Sequence, residues 1–204
     1  MKRFYVAALT GRSGSGKSYA GDYLKAKGVA VLDGDKVARE VVKPGERALD
    51  ELVRSFGEGI LFEDGSLNRR ALADLCFSDP KLQSKLNSIT HPAIIERLTE
   101  RFEELKEAGE AYCLVEAAAL IESGFYAICD KAVMIRAPHS AAVERIMNRD
   151  GLSREQAEAR LAAQTTEVEV EPLCDMIIDN DSSLEDFNIK LDGLKAKLDE
   201  WFGE

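Results

Sequence analysis

The stretch Gly11-Arg12-Ser13-Gly14-Ser15-Gly16-Lys17-Ser18 follows the apolar run FYVAALT near the start of the 204-residue chain. It matches the pattern GxxxxGK followed by Ser or Thr in full, and such a loop works only between a buried strand and the first turn of a helix. That requirement fixes the local architecture before anything else is read. The next segment, SYAGDYLKAKG, supplies the helix: Ala20, Tyr23, Leu24 and Lys27 fall on one side, and Gly28 is suited to end it. Four later runs rich in β-branched and apolar residues, VAVLD, YCLVE, KAVMIRA and DMIID, read with RFYVAAL as five buried strands. Helical patterns lie between most of them, so the sequence predicts an α/β fold with a five-stranded parallel sheet flanked by helices.

One connection is too long. A crossover between parallel strands needs a dozen or more residues, yet roughly 75 separate the second strand from the third, with helical periodicity inside. The segment must form a substructure. VVKPGERALDELVRSFGEG opens it with a Pro-Gly turn and an amphipathic helix, LNRRALADLCFSDPKLQSKLNSI continues it, and THPAIIERLTERFEELKEAG leads back to the sheet. A second helical stretch, SAAVERIMNRDGLSREQAEARLAAQ, separates strands four and five, and LEDFNIKLDGLKAKLDEWF reads as a C-terminal helix docking through Trp201 and Phe202.

Composition narrows the partners. With 45% hydrophobic and 31% charged residues the chain reads as an ordinary soluble globular protein. A net charge of −10 without a basic run opposes nucleic-acid binding. No run approaches the ~20 apolar residues of a membrane span, and the N-terminal run is shorter than a signal-peptide core, so the expected location is the cytoplasm, with no membrane partner. Cys76, Cys113, Cys129 and Cys174 are widely spaced and only two histidines are present, which suits reduced core thiols rather than a metal site.

The loop carries the chemistry with most definition. Gly11, Gly14 and Gly16 permit close backbone approach, so that successive N–H groups, those of Ser15 and Tyr19 among the flanking positions, can surround a phosphate at a helix N-terminus. Lys17 brings a mobile positive charge to the β- and γ-phosphates, and the Ser18 hydroxyl is placed to ligate Mg²⁺. Asp33 and Asp35, in the phrase DGD at the end of the second strand, stand where open α/β sheets collect ligands. Either carboxylate is suited to accept a proton from an attacking hydroxyl or to hold Mg²⁺ through water, or else to cap the helix that follows. Arg145 and Arg149, one helical turn apart, either close over phosphates or form solvated pairs with Glu144 and Asp150. His91, before Pro92, has a local capping or packing role as its alternative, and Glu116 and Glu122 are each an acid for a metal shell or a helix cap.

Taken together, ALTGRSGSGKS, VLDGDKVAREVVKPG, GSLNRRAL, LNSITHP, LIESGFY, RIMNRDGLSREQAEARLAAQ and DMIIDN resemble the dephospho-CoA kinases, over most of the chain. The resemblance implies a P-loop kinase fold with residues 1–35 and 110–204 as a nucleotide-binding core, a short lid at about 140–165, and residues 36–109 as a helical acceptor domain. It implies ATP and Mg²⁺, transfer of the γ-phosphoryl group to the ribose 3′-hydroxyl of dephospho-CoA, Asp35 as the catalytic carboxylate and Asp33 as a metal-shell or acceptor contact. It further implies Arg145 and Arg149 as lid arginines, with Arg160 as a third, and Arg69 and His91 as acceptor contacts. Arg12 stands where glycine is usual, Tyr19 where threonine is frequent, and EAAALIESG where many members have a proline and leucines.

Overall fold

A computed structural model of the chain describes residues 3–77, 79–117 and 125–203. The chain divides into two units, one made of residues up to Asp33 and from Glu104 onward, the other of Gly34–Glu103.

The first unit is built on five strands: β1 (Tyr5–Thr10), β2 (Val31–Asp33), β3 (Tyr112–Glu116), β4 (Lys131–Arg136) and β5 (Met176–Asp179). They form one sheet in the order β2-β3-β1-β4-β5, and every pairing is parallel. The five apolar runs therefore become the sheet expected of them. Both faces of its centre are buried, which is why β1, β3 and β4 read as continuous apolar runs rather than alternating ones. On one face Ala7, Leu9, Leu114, Val133, Ile135 and Ile178 pack with Ala20 and Leu24 of helix α1 (Lys17–Ala26) and with residues of the C-terminal helix. That last helix spans Leu184–Phe202, with Ser183 capping it through Asp186 N–H, and Phe202 stacks on Tyr5 at 5.1 Å. Trp201 stays partly buried beside it.

The second unit holds α2 (Gly34–Glu40), α3 (Arg47–Phe56), α4 (Arg69–Phe77) and most of α5 (Pro80–Glu107). LNRRALADLCFSDPKLQSKLNSI and THPAIIERLTERFEELKEAG read as successive stretches, but α5 runs across their junction and through Pro92. The helix boundary falls instead at Asp79-Pro80: the Asp79 carboxylate accepts from Lys81 N–H at 2.8 Å, and proline suits the first helical position. Pro92 withholds a hydrogen bond only from the carbonyl of Ser88, an exposed residue whose carbonyl water can serve.

Between β4 and β5 the first unit carries α6 (His139–Asp150) and α7 (Arg154–Ala162), which share a small core of Ala142, Val143, Ile146, Ala157 and Leu161. A Ser153/Gln156 capping box starts α7. A short helix, α8 (Glu167–Val170), precedes β5, and the C-terminal helix is α9. All four cysteines are free thiols; Cys76 and Cys113 are buried, and burial raises the pKa of Cys129 to about 12 and that of Cys174 to about 11, so neither ionises at neutral pH. No helix among the described residues is long and apolar enough to cross a membrane.

Candidate active site

β1 is the pivot of the sheet: its neighbours β3 and β4 lie on opposite sides, which makes its carboxyl end the topological switch point where open α/β sheets bind ligands. The chain leaves that end into Gly11–Gly16 and enters α1 at Lys17. Two glycines are required by their surroundings. Gly14 has φ +78° and a side chain there would run into the carbonyl of Ala142 in α6; Gly16 has φ +100° and a side chain would run into the amide of Asn180.

Four tethers fix the loop. The Arg12 guanidinium donates to the carbonyl of Leu161 near the end of α7, and Ser13 N–H donates to Gln164 Oε1 at 2.9 Å. Arg145 Nη1 donates to the carbonyls of Gly14 and Ser15 at 3.1 and 3.3 Å, and its Nη2 to the Asn180 carbonyl and Oδ1 at 3.4 and 3.3 Å. Asn180 Nδ2 donates to the Ser15 carbonyl at 2.8 Å. Behind the loop lies a cavity of about 40 Å³ lined by Ser15, Ala137, His139, Ala142 and Leu161 among others.

Lys17 does not project into solvent. Its side chain keeps 11% of its exposure, and Nζ pairs with Glu116 Oε2 at 3.2 Å. Glu116 ends β3, and its carboxylate fills the space that a side chain at Gly21 of α1 would take. Ser18 is exposed in the first turn of α1. Tyr19 turns the other way: its hydroxyl donates to Asn188 of α9 at 2.8 Å and its ring lies 5.9 Å from Phe187. What Tyr19 presents to the loop is therefore its backbone.

Arg145 and Arg149 share α6 but not a neighbourhood. Arg149 forms a two-pronged bond to Asp150, Nε and Nη2 each at 2.8 Å, and Arg160 reaches the same carboxylate at 2.7 Å. The hydrogen bond from Arg149 holds Asp150 below the usual carboxylate range, and Asp150 in turn raises the Arg149 pKa.

Asp33 ends β2 and is exposed. In the second unit Asp35 lies inside the first turn of α2 rather than before the helix, so it is not an N-cap, and it too is exposed. Arg69 opens α4; its guanidinium donates to the Arg39 carbonyl at 3.4 Å, and burial first, then the charge of Arg39, lowers its pKa. His91 lies within α5, where burial lowers its pKa. That unit also contains a cavity of about 300 Å³ lined by Glu46, Arg47 and Glu51 on one side and Ser88, Ile89 and Arg97 on the other. Arg97 is held there by Glu46 at 3.0 Å and Glu100 at 3.1 Å. Glu122 falls outside the described residues.

Asn180 was not singled out from the sequence. Its only signal there was a polar residue directly after the fifth apolar run, in DMIIDN.

A parallel five-stranded sheet whose central strand runs into a GxxxxGKS loop and a helix is the architecture of the P-loop nucleotide-binding proteins. The comparisons with known proteins narrow the class. The family model described as "Dephospho-CoA kinase" matches residues 5–186. The dephospho-CoA kinase of Geobacter sulfurreducens is 38% identical over 192 residues, covering 94% of this chain and 98% of that relative. The solved structure of the dephospho-CoA kinase from Campylobacter jejuni aligns with a TM-score of 0.69 at 25% identity, covering 97% of this chain and 98% of the other. A crystal structure of a Thermus thermophilus protein aligns with a TM-score of 0.81 at 35% identity, over 97% and 99% of the two chains. The chain belongs to the dephospho-CoA kinase family, phosphotransferases of the last step of coenzyme A biosynthesis.

Proposed function

We propose that this chain transfers the γ-phosphoryl group of ATP to the ribose 3′-hydroxyl of dephospho-CoA, giving coenzyme A and ADP. The observation that carries the reading is the loop from Gly11 to Ser18: Arg145 and Asn180 hold its Gly14 and Ser15 carbonyls, the Ser13 and Ser15 N–H groups are bonded to Gln164 and the Arg12 carbonyl, and the N–H groups of Gly14, Gly16 and the first turn of α1 remain for phosphate oxygens. In this reading Lys17 leaves Glu116 for the β- and γ-phosphates, an exchange of one anionic partner for another. Gly14, Ser15, Gly16 and Tyr19 contribute backbone, and Arg145 and Arg149 offset charge on the phosphates.

Asp35 accepts the proton of the 3′-hydroxyl as it attacks, and Asp33 supports the metal shell or the acceptor. Arg69 and His91 hold the acceptor. Residues at about 140–165 serve as the lid, and the Gly34–Glu103 unit contributes most of the acceptor domain.

The residues present suit Mg²⁺. Mg²⁺ is an ion commonly held by one or two protein oxygens together with a nucleotide's phosphates. Ser18, exposed at the start of α1, offers the hydroxyl for it. The ion supplies neutralisation of charge on the β- and γ-phosphate oxygens. We place the chain in the cytoplasm, supported by its four free thiols, and expect neither nucleic acid nor membrane as partner.

The test is an acceptor panel with Mg-ATP, comparing dephospho-CoA with AMP, CMP and UMP. Dephospho-CoA should show the highest kcat/KM and gain one phosphoryl group at the 3′-oxygen, read by mass spectrometry. A nucleoside monophosphate preferred over it would overturn the acceptor assignment.

A further inference from the structure

We infer that Asn180 is a positioning residue for the phosphate loop, acting on bound ATP through the Ser15–Gly16 peptide; the inference rests on the loop reading above.

Asn180 follows β5 directly and is 7% exposed, one of very few buried polar side chains among the described residues. Its own backbone is secured, since its N–H donates to the Arg136 carbonyl at 2.7 Å. The side chain is then aimed at the loop. Ser15 offers a carbonyl, which only accepts, and Arg145 offers a guanidinium, which only donates. The amide must therefore turn its nitrogen to Ser15 and its oxygen to Arg145, and it does, at 2.8 and 3.3 Å. A carboxylate satisfies only the second contact and a hydrocarbon neither. Asparagine is matched to this position by both contacts together.

The Ser15 carbonyl consequently receives two donors, Asn180 Nδ2 and Arg145 Nη1. A trans peptide points its N–H opposite to its C=O. Holding the Ser15 carbonyl against the end of β5 thus turns the Gly16 N–H the other way, at the start of α1 where the loop's free donors gather. The fit is close on both sides: a side chain at Gly16 would meet the Asn180 amide and, next, the ring of Phe187, itself 1% exposed. The loop's phosphate-facing surface is therefore set by a residue far along the chain that has no need to touch the phosphate.

Loop N–H groups bind phosphate in the ground state and the transition state alike, so loss of their alignment should appear in ATP binding more than in turnover. Asn180→Asp keeps shape and the Arg145 contact but sets a carboxylate oxygen against the Ser15 carbonyl. We expect N180D to raise the KM for ATP and the Kd for inorganic tripolyphosphate by tenfold or more, with the KM for dephospho-CoA within about twofold of wild type. Asn180→Ala, which removes the donor without adding repulsion, should give a smaller shift in the same direction and decides the matter where N180D fails to fold. Calorimetry with tripolyphosphate on the full chain, beside melting temperatures, separates the outcomes. If K17A weakens binding while N180D and N180A bind like wild type, the inference falls and the loop reading stands. Should K17A leave binding unchanged, both fall. A loss of melting temperature with equal changes for both substrates marks Asn180 as merely structural and overturns the inference.

Discussion

The two units treat their candidate functional side chains differently. Around the phosphate loop three cationic side chains are already bonded: Lys17 to Glu116, Arg145 to two loop carbonyls and Asn180, Arg12 to the end of α7. In the helical unit Asp35 is exposed, and Arg69 makes a long bond of 3.4 Å to the Arg39 carbonyl. The difference follows from what each must recognise. Triphosphate is a fixed, highly charged shape, and a site for it gains from donors aligned in advance, because alignment then costs nothing at the moment of binding. A hydroxyl on a long flexible acceptor asks instead for a carboxylate free to meet it. The first unit should therefore fail through loss of alignment and the second through loss of single groups.

The largest expected effect breaks the first side of this contrast. Lys17→Ala should lower the rate of ADP formation by about 10³-fold, measured with Mg-ATP and dephospho-CoA. The substitution is not silent in stability, because Glu116, whose side chain is 13% exposed, loses its ion partner. A fall of several degrees in melting temperature is expected, and a second change, Glu116→Gln, should restore most of it without restoring activity. Recovery of activity in the double variant would mean that Lys17 serves the sheet and not the phosphates.

Next comes Asp35→Asn, which tests the second side. An exposed carboxylate in the first turn of α2 has little to hold in place, so the melting temperature should stay close to wild type while kcat drops by about 10²-fold or more and the KM for ATP barely moves. If Asp33→Asn is the more damaging of the two, the roles of the two acids are exchanged.

Arg145→Ala sharpens the contrast within one helix. Sequence spacing made Arg145 and Arg149 equivalent, but in this structure Arg145 rests on the loop carbonyls and Arg149 on Asp150, so the two start from different partners. Removal of Arg145 should raise the KM for ATP by roughly tenfold, as two carbonyls lose a charged donor. Arg145→Lys should rescue little of it, because a point charge cannot span Gly14, Ser15 and Asn180 together. Arg149→Ala should leave the KM for ATP nearer wild type. Equal effects of the two on steady-state KM would return them to the same role.

That pair also shows what the chain reveals before folding. The strands were legible because a buried parallel sheet leaves continuous apolar runs, and the loop because its glycines, lysine and serine are adjacent in sequence. Asn180 and Glu116 acquire their partners 165 and 99 residues away, through strand order alone. No local pattern encodes strand order, so Asn180 was not singled out, and Glu116 and Arg145 were named as candidates without their partners at the loop. The run of α5 through Pro92 was hidden for a related reason: whether a proline ends a helix depends on whether water can serve the carbonyl it deprives, and exposure is a tertiary property.

The smallest effect concerns His91, in the helical unit. Burial disfavours its charged form, so its pKa in the folded chain lies below the ordinary value. The unfolded chain takes up a proton near pH 6.5, whereas the folded chain waits for lower pH. Between those two points the unfolded state binds more protons, and stability therefore falls as pH drops below about 6.5 and levels off only once the folded state also protonates. His139, the other histidine, contacts Glu158 at 2.6 Å in the first unit and is the same in wild type and variant, so the difference between the two isolates His91. In His91→Asn the dependence of melting temperature on pH between about 6.5 and 5 should be shallower than in wild type, and at pH 8 the two should differ only by the packing change. A steeper acid dependence in the variant would mean that His91 is charged in the folded chain, held by an acid rather than kept neutral by burial. As a cation it would then suit the phosphate end of an acceptor better than its adenine.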